Sequence, residues 1–88
     1  MMDPMPEPSP PKPPADPTPL SVAVAENFKA ARMALGESQA QTALRTGIGQ
    51  KSISEIECGR ANPTLHTLEA LARHVGLTVA QLLAPPHL

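Results

Sequence analysis

The stretch "SQAQTALRTGIGQKSISEIECG", residues 38–59, decides the fold of this 88-residue chain. Ser38 offers a side-chain cap for a helix that ends near Thr46, where Gly47 supplies the stop. Gly-Ile-Gly then makes a tight turn, with Ile48 as the apolar plug beneath it. A further helix covers about Gln50 to Cys58 and ends at Gly59. Its inner face is Ile53 and Ile56. At about 100° per residue, Lys51, Ser54, Glu55 and Cys58 point away from that face, and Gln50 and Ser52 belong to the first turn.

Outward from this pair, the apolar spacing is helical from Ser21 onward, and no stretch alternates long enough for a strand. Val24, Phe28, Ala31 and Leu35 form a stripe that Gly36 closes. Beyond the loop "GRANP", Thr64 caps a fourth helix with Leu65, Leu68, Leu71, Ala72 and Val75 inward and Gly76 as its stop. Thr78 caps a last short helix with Val79, Leu82 and Leu83 inward, which Pro85-Pro86 ends. The expectation is a compact all-α unit of five helices over residues 21–84, with a short C-terminal tail at 85–88.

Residues 1–20 differ in kind, with nine prolines. Each ring removes a backbone donor and fixes φ, and the segment has little apolar surface to offset its ordering entropy. It reads as a disordered, partly polyproline-II tail and a solubilising arm, although its Pro-x-x-Pro spacings could dock in an aromatic groove.

The formal charge of −1 argues against a nucleic-acid partner until it is divided. The tail sets Lys12 against Asp3, Glu7 and Asp16, a net −2; the remainder sets six basic against five acidic residues, a net +1. Distribution must therefore decide. A single cysteine, Cys58, excludes an intramolecular disulfide and suits a reducing cytosol. No apolar run approaches membrane-spanning length, and the Pro-rich start lacks the plan of a signal peptide. The expected setting is the cytoplasm, with no membrane partner. His66, His74 and His87 have no acidic or Cys companions at ligand spacing, and the first two read as helical surface polarity. No acid–base pair suggests catalysis, so neither an enzyme nor a cofactor is expected.

Two helices joined by a tight Gly-containing turn, the second polar on its outward face, follow the plan of a helix-turn-helix. The residue types suit a major groove. Gln matches N6 and N7 of adenine, Lys supplies donors for O6 and N7 of guanine, and Ser serves as either partner.

From about Asn27 to Leu83 the chain resembles the phage lambda repressor and Cro-like helix-turn-helix proteins, the XRE family. The resemblance rests on Arg32, Ser38-Gln39, Ala43, Gly47-Ile48, Ile53-Ser54, Ile56-Glu57, Gly59, Asn62-Pro63-Thr64, the Leu-rich fourth helix and "VGLTVAQLL". It implies a five-helix lambda-repressor-like domain in which Gln39 contacts the DNA backbone and braces Gln50. Gln50, Lys51 and Ser52 would face bases, with Glu55 one turn further along. Arg60, Asn62 and the amides opening the fourth helix would hold phosphates. Arg32 and Glu57 match the family's paired charges linking the first and third helices. Against the family pattern, Glu37 stands at a usually apolar position and Thr42 at a commonly aliphatic one, which predicts looser packing of the second helix. Gly49 replaces the more frequent Ser or Thr cap of the recognition helix.

The implied function is sequence-specific binding of double-stranded DNA at a partly palindromic operator, as a homodimeric transcriptional regulator and repressor. Val79, Leu82 and Leu83 form the expected dimer surface. The alternative is an adaptor or antitoxin component that keeps the fold but binds another protein, such as a toxin; the acidic Pro-rich tail favours it.

Overall fold

In the computed structural model, which describes residues 16–85, the first helix begins two residues before the boundary expected at Ser21. Helix α1 spans Pro19–Ala34. Thr18 is its N-cap: the Thr18 side chain accepts from the Ser21 amide at 3.1 Å, and the Ser21 hydroxyl accepts from the Thr18 amide at 2.7 Å. Pro19 sits at the first helical position, where a missing N–H costs nothing. The proline count drew the boundary too late, because a proline forbidden inside a helix is favoured at its start. The rest of the expected tail, residues 1–15, lies outside the described residues.

Four more helices follow among the described residues: α2 Gln39–Thr46, α3 Gln50–Glu57, α4 Leu65–Val75 and α5 Val79–Leu83. Ser38 and Thr78 form reciprocal caps with Gln41 and Gln81, and Thr64 caps α4. Only α3 starts without a side-chain cap, at Gly49. The chain leaves α1 through a left-handed Gly36, φ +73°. There the Gly36 amide donates to Met33 O and the Glu37 amide to Arg32 O, the double closure of a Schellman end. The end of α3 repeats it, with Gly59 donating to Ile56 O and Arg60 to Glu55 O. A Cβ at Gly59 would lie 3.7 Å from Val22, an ordinary contact, so its φ of +75° and not crowding favours glycine.

The core forms where α1, α3, α4 and α5 meet, around Phe28, Ile53, Leu71 and Leu82, all fully buried. Ile48 packs against this cluster from the turn, as its place in Gly-Ile-Gly requires. Two stripe residues do not belong to it: Leu35, the C-cap of α1, is 48% exposed and Leu65 is 71% exposed. Each sits at a helix end, where the helical period continues but no neighbouring element covers it. Leu82 corrects the expected dimer surface. It is wholly inside the monomer, whereas Val79 and Leu83 are only partly buried.

Long-range hydrogen bonds fix the outer helices. The Asn27 amide nitrogen lies 2.9 Å from Leu82 O and 2.7 Å from Ala84 O, so α1 caps the last turn of α5. The Ser21 hydroxyl donates to Gly59 O at 2.8 Å, joining the start of α1 to the end of α3. The Pro-rich, apolar-poor composition of residues 1–15 predicts that a chain beginning at Asp16 melts like the full chain. One beginning at Ser21 loses the Thr18 cap, and its melting temperature followed by circular dichroism should fall by roughly 4–8 °C, about 1 kcal/mol at this size. Equal melting of all three would show that the cap contributes nothing.

Candidate nucleic-acid interface

The helix-turn-helix is α2, the turn at residues 47–49, and α3. Ile53 and Ile56 hold α3 in the core, and this leaves Gln50, Lys51 and Ser52 exposed on its first turn. Ser54 and Glu55 are half-buried, and Cys58 is exposed. Arg60 follows α3 directly. Its backbone is pinned by the Schellman closure and its side chain is free to solvent. Asn62 is also exposed, on the rim of a cleft of about 340 Å³ bounded by Ser21, Val24, Ile56, Leu68 and Leu83.

A buried ion pair fixes the angle of α3. Arg32 Nε lies 2.6 Å from Glu57 Oε2, and Nη2 lies 2.9 Å from Oε1. The expected pairing of α1 with α3 is thus present, and bidentate. Arg32 is 8% exposed, yet its guanidinium is held above its ordinary pKa by hydrogen bonding to Glu57, against the opposing effect of burial. Its remaining Nη1 donates to Glu37 O at 2.6 Å. Gln39 departs from expectation: its Nε2 donates to Glu57 Oε1 at 3.2 Å, and no hydrogen bond joins it to Gln50. An ionised, nearly buried carboxylate is a stronger acceptor than an exposed amide, so the brace runs to the scaffold end of α3.

The expected looseness around Glu37 and Thr42 does not occur. Thr42 is fully buried, and its hydroxyl donates to Glu37 Oε1 at 2.8 Å. His74 Nε2 lies 2.7 Å from the same oxygen, and Arg45 Nη1 lies 3.3 Å from Oε2. A carboxylate only accepts, so the Nε2 of His74 carries the proton. No buried side-chain nitrogen or oxygen among the described residues lacks a partner. His74, read as surface polarity, is therefore a half-buried contact from α4. Its position three residues after the buried Leu71 was the signal that places it on the inner face.

With this geometry, comparison with known proteins is direct. The HTH_3 helix-turn-helix family model matches residues 28–82. The chain belongs to that family. It is 37% identical over 62 residues to the uncharacterized HTH-type transcriptional regulator y4dJ of Sinorhizobium fredii, a match covering 70% of this chain and 80% of that protein. The structure resembles that of a hypothetical transcription factor, NHTF, from Neisseria, with a TM-score of 0.73, 32% identity, and 86% and 87% of the two chains covered. It also shares its fold with a point mutant of the restriction–modification controller protein C.Esp1396I, at a TM-score of 0.67 and 22% identity, over 76% of this chain and 85% of that one. The protein is a DNA-binding transcriptional regulator and not an enzyme. Among the described residues no helix is long and apolar enough to cross a membrane, and no cluster of ligating side chains could hold a metal ion.

Two stability measurements test the polar interior. Arg32→Met and Glu57→Met each strand a buried charge and should each cost about 3–5 kcal/mol in urea denaturation. The double variant should lose less than the sum by ~0.5–3 kcal/mol, and additive losses would show that the side chains do not interact. The second concerns acid. Hydrogen bonds first from His74 and then from Thr42 hold Glu37 below the ordinary glutamate value of 4.5. A carboxyl group depressed by folding contributes stability above its unfolded value and loses it as pH falls through the lowered one. The full chain should therefore melt above Glu37→Gln at neutral pH, and the gap should begin to narrow as pH falls below about 4.5 and close below the lowered value. A gap independent of pH would mean that the charge of Glu37 is not held by the fold.

Proposed function

We propose that the chain reads double-stranded DNA with α3 in the major groove, as a homodimer on a partly palindromic operator, and that it acts as a repressor in the cytoplasm. The observation that carries this reading is the division of α3. Its isoleucines are spent in the core, while Gln50, Lys51 and Ser52 stand exposed on the first turn, the end that reaches base edges in this motif. In this reading Gln50 pairs with an adenine edge, Lys51 and Ser52 contact neighbouring bases, and Glu55 accepts from a cytosine amino group. Arg60 and Asn62, with the opening amides of α4, contact phosphates, and Gln39 acts as a brace on Glu57 as well as a backbone contact.

Dimerisation follows from affinity. One such domain makes few contacts, and a two-fold partner supplies a second half-site roughly 34–36 Å away. Leu82 cannot serve, so the pairing surface rests on Val79 and Leu83. Leu83 borders an apolar groove that also includes the exposed Leu20 and Val22.

Gln50 and Arg60 should fail in different ways. Gln50→Ala should cost ~1–3 kcal/mol on the preferred duplex and relax the choice at one base pair, with little effect on other sequences. Arg60→Ala should weaken binding to every duplex and flatten the slope of log affinity against log salt by about one unit per monomer. Fluorescence anisotropy with labelled duplexes measures both, since the chain has no Trp or Tyr. Unchanged base preference together with an unchanged salt slope would overturn this docking and leave a protein-binding role in its place.

A further inference from the structure

The polar contacts around Glu37 form a single assembly that spans four of the five described helices. Its carboxylate takes the Thr42 hydroxyl and, at 3.3 Å, the Arg45 guanidinium, both from α2, and His74 Nε2 from α4. Its backbone carbonyl takes Arg32 from α1. Arg32 in turn holds Glu57 on α3, and Glu57 accepts from Gln39 at the first turn of α2. The side chain of Glu37 is only 9% exposed, and Thr42 is wholly buried. In a Schellman end the residue after the glycine usually rests an apolar side chain against its own helix. Here that residue is Glu37, and its side chain turns instead toward α2 and α4.

We propose that Glu37 is a positioning residue for DNA binding: with Thr42 and His74 it locks α2 to α4, so that the Arg32–Glu57 pair presents α3 at one fixed angle. Hydrogen bonds are directional, so a carboxylate held by donors from two elements defines their relative rotation more narrowly than apolar contact does. An apolar residue at position 37 can fill the space and keep the fold. It cannot accept from His74 or Thr42, and so it leaves α2 free to shift on α4. A glutamine keeps Oε1 as an acceptor for both donors, and its amide faces only the exposed Arg45. This inference rests on the docking of α3 proposed above.

The test is the ratio of affinities for two duplexes, because the fraction of folded protein cancels from it. One fluorescein-labelled duplex is that recovered by selection from a random pool with the full chain, and the other is of mixed sequence. Glu37→Leu and His74→Ala should each lower the ratio roughly tenfold, and the double variant should lower it no further than either alone. Glu37→Gln should restore it to within about twofold of the full chain, since its acceptor is retained. A ratio unchanged in both Glu37→Leu and His74→Ala would overturn the proposal, as would losses that multiply in the double variant or a Glu37→Gln chain as impaired as Glu37→Leu. Should Glu37→Leu fail to fold, His74→Ala and Glu37→Gln carry the same decision. Gln50→Ala, measured in parallel, separates the two levels. If it lowers the ratio while Glu37→Leu and His74→Ala do not, the lock alone is wrong; if it too has no effect, or if selection recovers no preferred duplex, the docking of α3 is wrong and the lock with it.

Discussion

A guanidinium almost wholly inside the protein needs a partner for each of its nitrogens, and that constraint organises this small protein. Arg32 satisfies it by gripping Glu57 with two nitrogens and the carbonyl of Glu37 with a third. The first contact orients α3; the second pins the corner where α1 turns into α2. Moving either element strands a charge, so the helix-turn-helix is held by penalty as much as by attraction. An ion pair of this kind adds little net stability over an apolar pair of similar size, and its contribution is orientation. Orientation is what a short helix with only two apolar side chains in the core cannot supply by itself.

Much of the fold was legible because several independent signals agree at the same residues. The caps at Ser38, Thr64 and Thr78, the glycine stops and the helical stripes all place the same boundaries. Errors fall where one signal had to stand alone. Proline content placed the start of α1 too late, since Pro19 at a first helical position obeys a different rule from the prolines before it. Periodicity carried Leu35 and Leu65 into the core because it has no knowledge of where covering elements end. Leu82 reads both as inward-facing and as part of the dimer surface, and only the first reading holds. In a five-residue helix one inward face must serve the monomer first, and Leu82 is the residue that closes the core from that side.

The candidate interface was less legible than its scaffold. Exposure of Gln50, Lys51 and Ser52 follows from the spacing of Ile53 and Ile56 and could be read directly. The direction taken by Gln39 could not, because a glutamine side chain has several rotamers and only the tertiary position of Glu57 selects among them. The Glu37 assembly was half visible. Two polar residues at habitually apolar positions signalled a departure, and read singly each one predicts a defect. Their partner lies 37 residues downstream of Glu37, on α4. Local reasoning cannot pair such residues; only the folded chain shows that the two apparent defects satisfy each other.

The same logic explains why α3 tolerates a weak start. Gly49 gives it no side-chain cap, a shortfall of a few tenths of a kcal/mol against Ser or Thr. A helix of eight residues is too short to be stable alone, so its existence depends on packing whatever its cap. Ile53 and Ile56 provide that packing, the Schellman closure through Gly59 fixes its end, and Glu57 fixes its rotation. Every restraint on α3 therefore acts from its buried face or its C-terminal end. Its first turn is committed to nothing within the monomer, and Gln50, Lys51 and Ser52 remain available to a partner without any internal contact having to be broken first.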